Sequence, residues 1–204
     1  MNILAIGAHP DDIEFGCGGA LTKYSKAGHK ICLLILSRGE AGGNPGLRTK
    51  EQEEAAKLLK AKKVYWGDFP DAMIPEGQPL ISFIEDILDK TNPDIVFTCY
   101  PDDIHQDHRN VGKASLAAAR FIKNVLHYEL PGSQGLDPNI FIDISDTLNA
   151  KIKLLRSHHS QIKKTPNHNS NILGTVRSWA AFRGAQARVK YAEGFKSHRL
   201  LLKI

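Results

Sequence analysis

His9-Pro-Asp-Asp12 concentrates more potential chemistry than any other stretch of this chain. A histidine and a carboxylate three residues apart suit a divalent metal, zinc above all. The motif directly follows the strand-like run Ile3-Leu-Ala-Ile6. Three site-capable side chains therefore stand at the carboxyl end of a buried strand, the edge where open α/β sheets bind ligands. A second cluster, His105-Gln-Asp-His108, follows the run Ile95-Val-Phe-Thr98. Two histidines and a carboxylate around zinc leave a fourth position for water, lower that water's pKa toward about 7, and let the ion polarise a carbonyl. His9, Asp12 and one histidine of the second cluster would supply the set. Asp11 is the spare carboxylate that could take the water's proton. His105 and Asp107 are then free to form an oriented imidazolium that donates to a developing oxyanion. Each cluster alone has a plainer reading, since Pro-Asp-Asp is an ordinary turn or helix-cap sequence and a loop histidine is usually solvated. Two clusters at neighbouring strand ends favour the metal site.

Strands and helices must alternate for the clusters to meet. Residues 2 to 7 read as a strand, Gly16 to Ala27 as a helix stopped by Gly28, and Ile31 to Leu36 as a strand covered on both faces. Arg38 to Gly46 reads as a glycine-rich loop. Thr49-x-x-Gln52 resembles a capping box opening a helix to about Lys60. Val64 to Trp66 reads as a short strand. Leu80, Ile84, Ile87 and Leu88 have helical spacing, ended before Pro93. Asp94 to Cys99 is the next strand, and a helix carrying Val111, Ala114 and Ala118 follows His108. Val125 to Tyr128 and Ile140 to Ile142 read as strands, and Leu148, Ile152, Leu155 and then Ile172, Val176, Trp179 mark two helices. The polar stretch Ser160 to Ser170 reads as a surface loop. This rhythm predicts an α/β fold, a mostly parallel sheet with helices on both faces. In strand order 3-2-1-4, strands 1 and 4 are neighbours, and the crevice between them would bring the two clusters together.

The chain has 204 residues, 42% of them hydrophobic, which suits one domain, residues 1–204, with a proper core. Its net charge of +5 comes from scattered lysines and arginines, so no nucleic-acid partner is expected. The cysteines Cys17, Cys32 and Cys99 form no C-x-x-C and read as buried thiols. The start, Met-Asn-Ile-Leu, enters a strand at once. Neither a signal peptide nor a membrane span is expected, and a cytoplasmic setting is. Gly16-Cys-Gly-Gly19 is not G-x-G-x-x-G, and its glycines are expected to allow a tight turn beside the metal. The missing glycine fingerprint argues against a nucleotide-binding protein, and the lack of G-x-S-x-G against a serine hydrolase.

Ala8-His-Pro-Asp-Asp-Ile-Glu14 resembles the signature of the LmbE-like, or PIG-L-like, de-N-acetylases, and His105-Gln-Asp-His-Arg109 is similar to that family's second motif. His158-His-Ser-Gln161, Arg183-Gly-Ala-Gln186 and Tyr191-Ala-Glu-Gly-Phe195 resemble later family segments. Gln106 stands where the subfamily serving bacillithiol synthesis tends to show proline. The resemblance implies a Rossmann-like three-layer α/β/α fold and zinc-dependent removal of the N-acetyl group from an N-acetylglucosamine-containing small molecule. It makes His9, Asp12 and His108 the zinc ligands, Asp11 the general base, and His105, oriented by Asp107, the electrophilic stabiliser. It places Arg48 near the sugar, with His158 and Tyr191 as further substrate contacts and Glu193 at the rim. Glu14 would shape the turn. Iron(II) or manganese(II) could replace zinc with these ligand types, and relatives are often homo-oligomers. A metallohydrolase of another acyl-amide sugar and a non-catalytic, metal-dependent carbohydrate-binding protein are the alternatives.

Overall fold

A computed structural model describes residues 1–162 and 172–201. Its sheet contains, among the described residues, seven strands in the order β3-β2-β1-β4-β5-β7-β6. The parallel part comprises β1 (Asn2–Gly7), β2 (Lys30–Ser37), β3 (Lys63–Phe69), β4 (Ile95–Cys99) and β5 (Val125–Tyr128). β7 (Ala192–Arg199) runs antiparallel to β5, and β6 (Ile140–Asp143) antiparallel to β7. The central strands are apolar throughout because both faces are covered: Ile3 to Ile6 and Ile31 to Leu36 are buried. Ile3 pairs with Ile31 on one side and Ile95 on the other, so β1 and β4 are neighbours, as the 3-2-1-4 order requires.

The helices are α1 (Asp12–Lys26), α2 (Pro45–Leu59), α3 (Gln78–Thr91), α4 (Gln106–Ala118), α5 (Leu148–Ser157), the single turn α6 (His159–Ile162) and α7 (Ile172–Ala187). α1 packs with α2 and α5, and α3 packs with α4, giving the two outer layers of an α/β/α fold. Beside the main core, Ile144, Leu148, Ile152, Leu155, Val176 and Ala180 form a smaller one under α5 and α7.

Several boundaries differ from the sequence reading. α1 begins at Asp12, not Gly16, so the acidic motif is itself the helix start. α2 begins at Pro45 with Asn44 as its cap, Asn44 Oδ1 accepting from Leu47 N at 2.9 Å. The predicted Thr49 capping box is therefore interior helix, and the glycine-rich loop is shorter and contains a 3-10 turn at residues 40–42. The first residues of the predicted Ser160 to Ser170 loop belong to α6; residues 163–170 lie outside the described residues.

Gly16 and Gly19 of Gly16-Cys-Gly-Gly19 serve packing, not a turn beside a metal. A Cβ on Gly16 would meet the Tyr128 ring at 2.2 Å, and one on Gly19 would meet Ile144 at 2.8 Å. Cys17 leaves the helical region (φ −140°, ψ 15°) and breaks α1 in two. Glu193 repairs the break: its carboxylate accepts from Gly19 N at 2.9 Å and Ala20 N at 2.7 Å and pairs with Lys151 Nζ at 2.5 Å. Glu193 is 5% exposed and Lys151 4%, so the predicted rim residue is a buried structural one.

Candidate metal centre and active site

The carboxyl ends of β1 and β4 lie side by side, Ala5 opposite Phe97, and the two clusters meet just beyond them. After β1 the chain turns sharply, and His9 N donates to Asp12 Oδ2 at 2.8 Å. After β4, His105 caps α4, its Nδ1 accepting from Asp107 N at 3.2 Å. His108 follows one turn later, and its ring stacks on His105 at 4.6 Å; the His9 ring meets His105 edge-on at 4.8 Å.

Asp12 lies between two of these histidines. Its Oδ2 is 3.5 Å from His9 Nδ1 and its Oδ1 is 3.3 Å from His108 Nε2. His108 Nε2 is buried and makes no hydrogen bond. Donors sharing one tetrahedral ion at zinc bond lengths stand about 3.3 Å apart, so the residues fit a divalent cation. The rear nitrogens are also engaged. His9 Nε2 lies 3.0 Å from Asp71 Oδ1 and 3.1 Å from Asp107 Oδ2, and His108 Nδ1 lies 3.2 Å from Asp103 Oδ1. Metal-binding histidines characteristically have such a carboxylate behind them, which fixes ring and tautomer. His9, His105 and Asp107 form a second grouping close enough to hold an ion. However, the Asp107 carboxylate already accepts from Ala72 N at 2.8 Å and Ile74 N at 3.2 Å.

Asp71 and Asp103 were not singled out in the sequence. Asp71 follows β3, and Asp103 stands two residues before His105 in the loop after β4. Both are acids at carboxyl ends of strands, the signal that could have found them. Asp71 also accepts from Ala41 N at 2.9 Å, tying the 3-10 loop to the His9 ring.

Asp11 projects beside this set with its side chain 27% exposed and Arg48 Nη2 at 3.6 Å from its carboxylate. It opens onto a cavity of about 190 Å³, lined also by Asp12, His108 and His158, with an apolar wall including Phe15 and Leu130. Burial, then the charge of Asp12, push Asp11 up to about 6, against the pull of His158, Arg48 and His9. Burial would also raise Asp12, but His108 and His9 hold it well below the usual carboxylate range. Burial opposes protonation of His9 and His108, yet the facing carboxylates win. His9 is raised well above its ordinary value, and His108 is pushed up to about 9.

The expected His105 imidazolium takes a different form. Asp107 orients His105 through its backbone N–H, while the carboxylate serves His9. Burial, then His9 and His108, lower the His105 value. With Nδ1 accepting, a neutral ring carries its proton on Nε2 and remains a hydrogen-bond donor.

The remaining candidates are more deeply placed than a substrate-contact reading implies. Arg48 is 5% exposed, and its guanidinium donates to Gly39 O at 2.8 Å and Pro10 O at 2.7 Å. His158 is 1% exposed, with Nε2 3.4 Å from Glu14 Oε2. It reaches the cavity wall, as does Gln161. Tyr191 packs against the smaller core and does not line that cavity. Glu14 is buried, and its partner is distant rather than the local, turn-shaping one expected: it accepts from Gln52 Nε2 on α2 at 2.7 Å.

A three-layer α/β fold with a histidine–carboxylate cluster at its topological switch point defines a class of proteins that hold ligands at the strand ends. Residues 4–119 match the PIG-L family of GlcNAc-PI de-N-acetylases, and the chain belongs to that family. That match takes in both histidine clusters. The "uncharacterized deacetylase YaiS" of Escherichia coli K12 is 34% identical over 78% of this chain and 90% of its own. The diacetylchitobiose deacetylase of Thermococcus kodakarensis is 29% identical, covering 95% of this chain and 82% of its own. Among solved structures, N,N'-diacetylchitobiose deacetylase from Pyrococcus horikoshii superposes with a TM-score of 0.83 at 28% identity, covering 96% of this chain and 82% of its own. No helix among the described residues is long and apolar enough to cross a membrane.

Proposed function

We propose that this protein is a metal-dependent de-N-acetylase that removes the N-acetyl group from an N-acetylglucosamine-containing small molecule. The observation that carries the reading is Asp11: a carboxylate beside the His9–Asp12–His108 set, open to the crevice and raised to about 6. A binding protein needs no such spare base, which disfavours the carbohydrate-binding alternative. The relatives named diacetylchitobiose deacetylase support the choice of amide and sugar.

His9, Asp12 and His108 would hold the ion, with Asp71, Asp107 and Asp103 behind the two rings. Zinc is the metal we favour; iron(II) or manganese(II) suits the same donors. When bound, the ion supplies Lewis acidity toward the amide carbonyl and acidifies water. Asp11 takes the proton of the attacking water on its carboxylate and returns it to the departing amine nitrogen, so that amide and water become acetate and free amine. His105 donates from Nε2 to the oxygen that gains negative charge, Nδ1 being held by the Asp107 amide. Arg48 reaches the Asp11 carboxylate without lining the cavity, and His158 lines it. A homo-oligomer and a reducing cytoplasmic setting complete the proposal. Cys17, Cys32 and Cys99 are buried and unpaired, in keeping with the latter.

The test is acetate release from N-acetylglucosamine conjugates by zinc-loaded, metal-free and Asp11→Asn protein, with bound metal quantified in each. Release that needs zinc and disappears in the variant supports the proposal. A fully metallated protein that releases nothing from a panel of acyl-glucosamines sinks it.

A further inference from the structure

We propose that Gln52 is a positioning residue for Asp11, acting with Arg48 from one turn earlier on α2; the inference rests on the reading of Asp11 as the general base. The two side chains grip opposite edges of one peptide unit. Arg48 Nη2 donates to Pro10 O at 2.7 Å, and Gln52 Oε1 accepts from Asp11 N at 3.3 Å. The Pro10–Asp11 peptide is thus fixed on both sides by a single helix.

Asp11 needs that hold. Its backbone sits at φ 102°, ψ −23°, in the left-handed half of the map that residues with a side chain rarely occupy. Such conformations persist only where the surroundings over-determine them. Rotation about this φ swings the neighbouring peptide, so releasing the clamp re-aims the Asp11 carboxylate relative to Asp12 without touching a metal ligand.

Gln52 is held in turn. Its Nε2 donates to Glu14 Oε1 at 2.7 Å, and Glu14 Oε2 lies 3.4 Å from His158 Nε2. Gln52 is fully buried, Glu14 and His158 are each 1% exposed. A buried amide with both ends committed cannot flip, so its oxygen always faces Asp11 N. Asp11, Gln52, Glu14 and His158 form one polar chain from the crevice floor to its wall.

The test measures kcat, KM and bound metal for Gln52→Leu in the wild-type and Asp11→Asn backgrounds. Gln52→Glu and the exchange Gln52→Glu/Glu14→Gln are measured beside it. Gln52→Leu is expected to lower kcat about 100-fold, the cost of a base misplaced by about 1 Å. KM and metal content stay within about twofold, as misplacement without ligand loss requires. In the Asp11→Asn background the same substitution changes nothing further, because the group it positions is already gone. Gln52→Glu alone sets two carboxylates against each other and lowers kcat; the exchange restores a donor facing an acceptor and recovers it. Full kcat in Gln52→Leu, or an equal loss in both backgrounds, overturns the proposal. If the leucine variant does not fold, rescue by the exchange supports the proposal and lack of rescue overturns it. Full activity of Asp11→Asn itself removes the base assignment, and the proposal with it.

Discussion

Asp103 Oδ1 lies 3.2 Å from Nδ1 of His108, on the opposite side of the ring from Asp12. The same carboxylate accepts from His105 N at 2.8 Å and, through Oδ2, from Ser133 Oγ at 3.1 Å, so it is fixed before it meets the ring. Asp103 therefore sets which nitrogen of His108 would face the proposed metal ion. Asp103→Ala is expected to weaken zinc binding about 10- to 100-fold, the usual cost of removing a carboxylate behind a metal-binding histidine. Competition with a calibrated chelator measures it. Unchanged affinity would show that His108 needs no orientation by Asp103.

In the proposed site, protons and metal would compete for the same histidines. Burial alone would lower both values, but Asp107, Asp12 and Asp71 raise His9, and Asp12 with Asp103 raises His108 to about 9. A raised value means that the metal-free protein still carries these protons at pH 7, above the ordinary histidine range. Binding of zinc at these rings would expel them, so affinity should rise as pH climbs toward about 9, the His108 value. Calorimetry at pH 7 in two buffers of different ionisation enthalpy should register the release of one to two protons per ion, roughly one for each raised histidine. Release of none would contradict the assignment of His9 and His108 as ligands.

Asp11 should govern the acid side of the rate profile. It works as a base only when ionised, and burial with the charge of Asp12 raises it to about 6. Activity is therefore present above that value and falls as pH drops through it. A bound cation shifts the value downward, so the limb in kcat/KM is expected at or below about pH 6. Asp11→Asn should retain metal, remove this limb and lower the rate by roughly 100- to 10,000-fold, the range for loss of a general base. An unchanged acid limb in the variant would assign that limb to another group.

What the sequence made legible follows from what each feature depends on. β1 and β4 are apolar runs, the first ending two residues before His9 and the second leading through a short loop to His105, so strand and cluster were both local signals. The adjacency of those strand ends then followed from the 3-2-1-4 order. The place of Gln52 is ambiguous in the sequence because a Thr-x-x-Gln pattern is equally a capping box and a pair of interior helix positions. Only the tertiary partners, Asp11 N and Glu14, show that its side chain turns inward. Asp71 and Glu193 were obscure for the same reason: each acts on a residue from a distant element, His9 for one and the broken α1 for the other. The lowered value of His105 depends on its burial and on the approach of His9 from the end of β1, neither of which the motif's spacing reveals.

The Lys151–Glu193 pair should be a stability element without a part in the chemistry. Glu193 accepts the two amides freed by the kink at Cys17, and both members of the pair are almost fully buried. Removing one partner of a buried pair leaves the other charge uncompensated, at a cost of about 3–5 kcal/mol. Glu193→Ala is therefore expected to lower Tm by roughly 10 °C, at about 2–4 °C per kcal/mol for a chain of this size. The double change Glu193→Ala/Lys151→Met should recover part of that loss, because the stranded ammonium is replaced by an apolar chain of similar length. Recovery will be incomplete, since Gly19 N and Ala20 N still lack the acceptor that Glu193 provided. Thermal melts of the three proteins, with kcat measured well below the lowest Tm, separate the two roles. A Tm within about 2 °C of wild type in the single variant would leave the kink with another support, and a lower kcat at full folding would place Glu193 in the site after all.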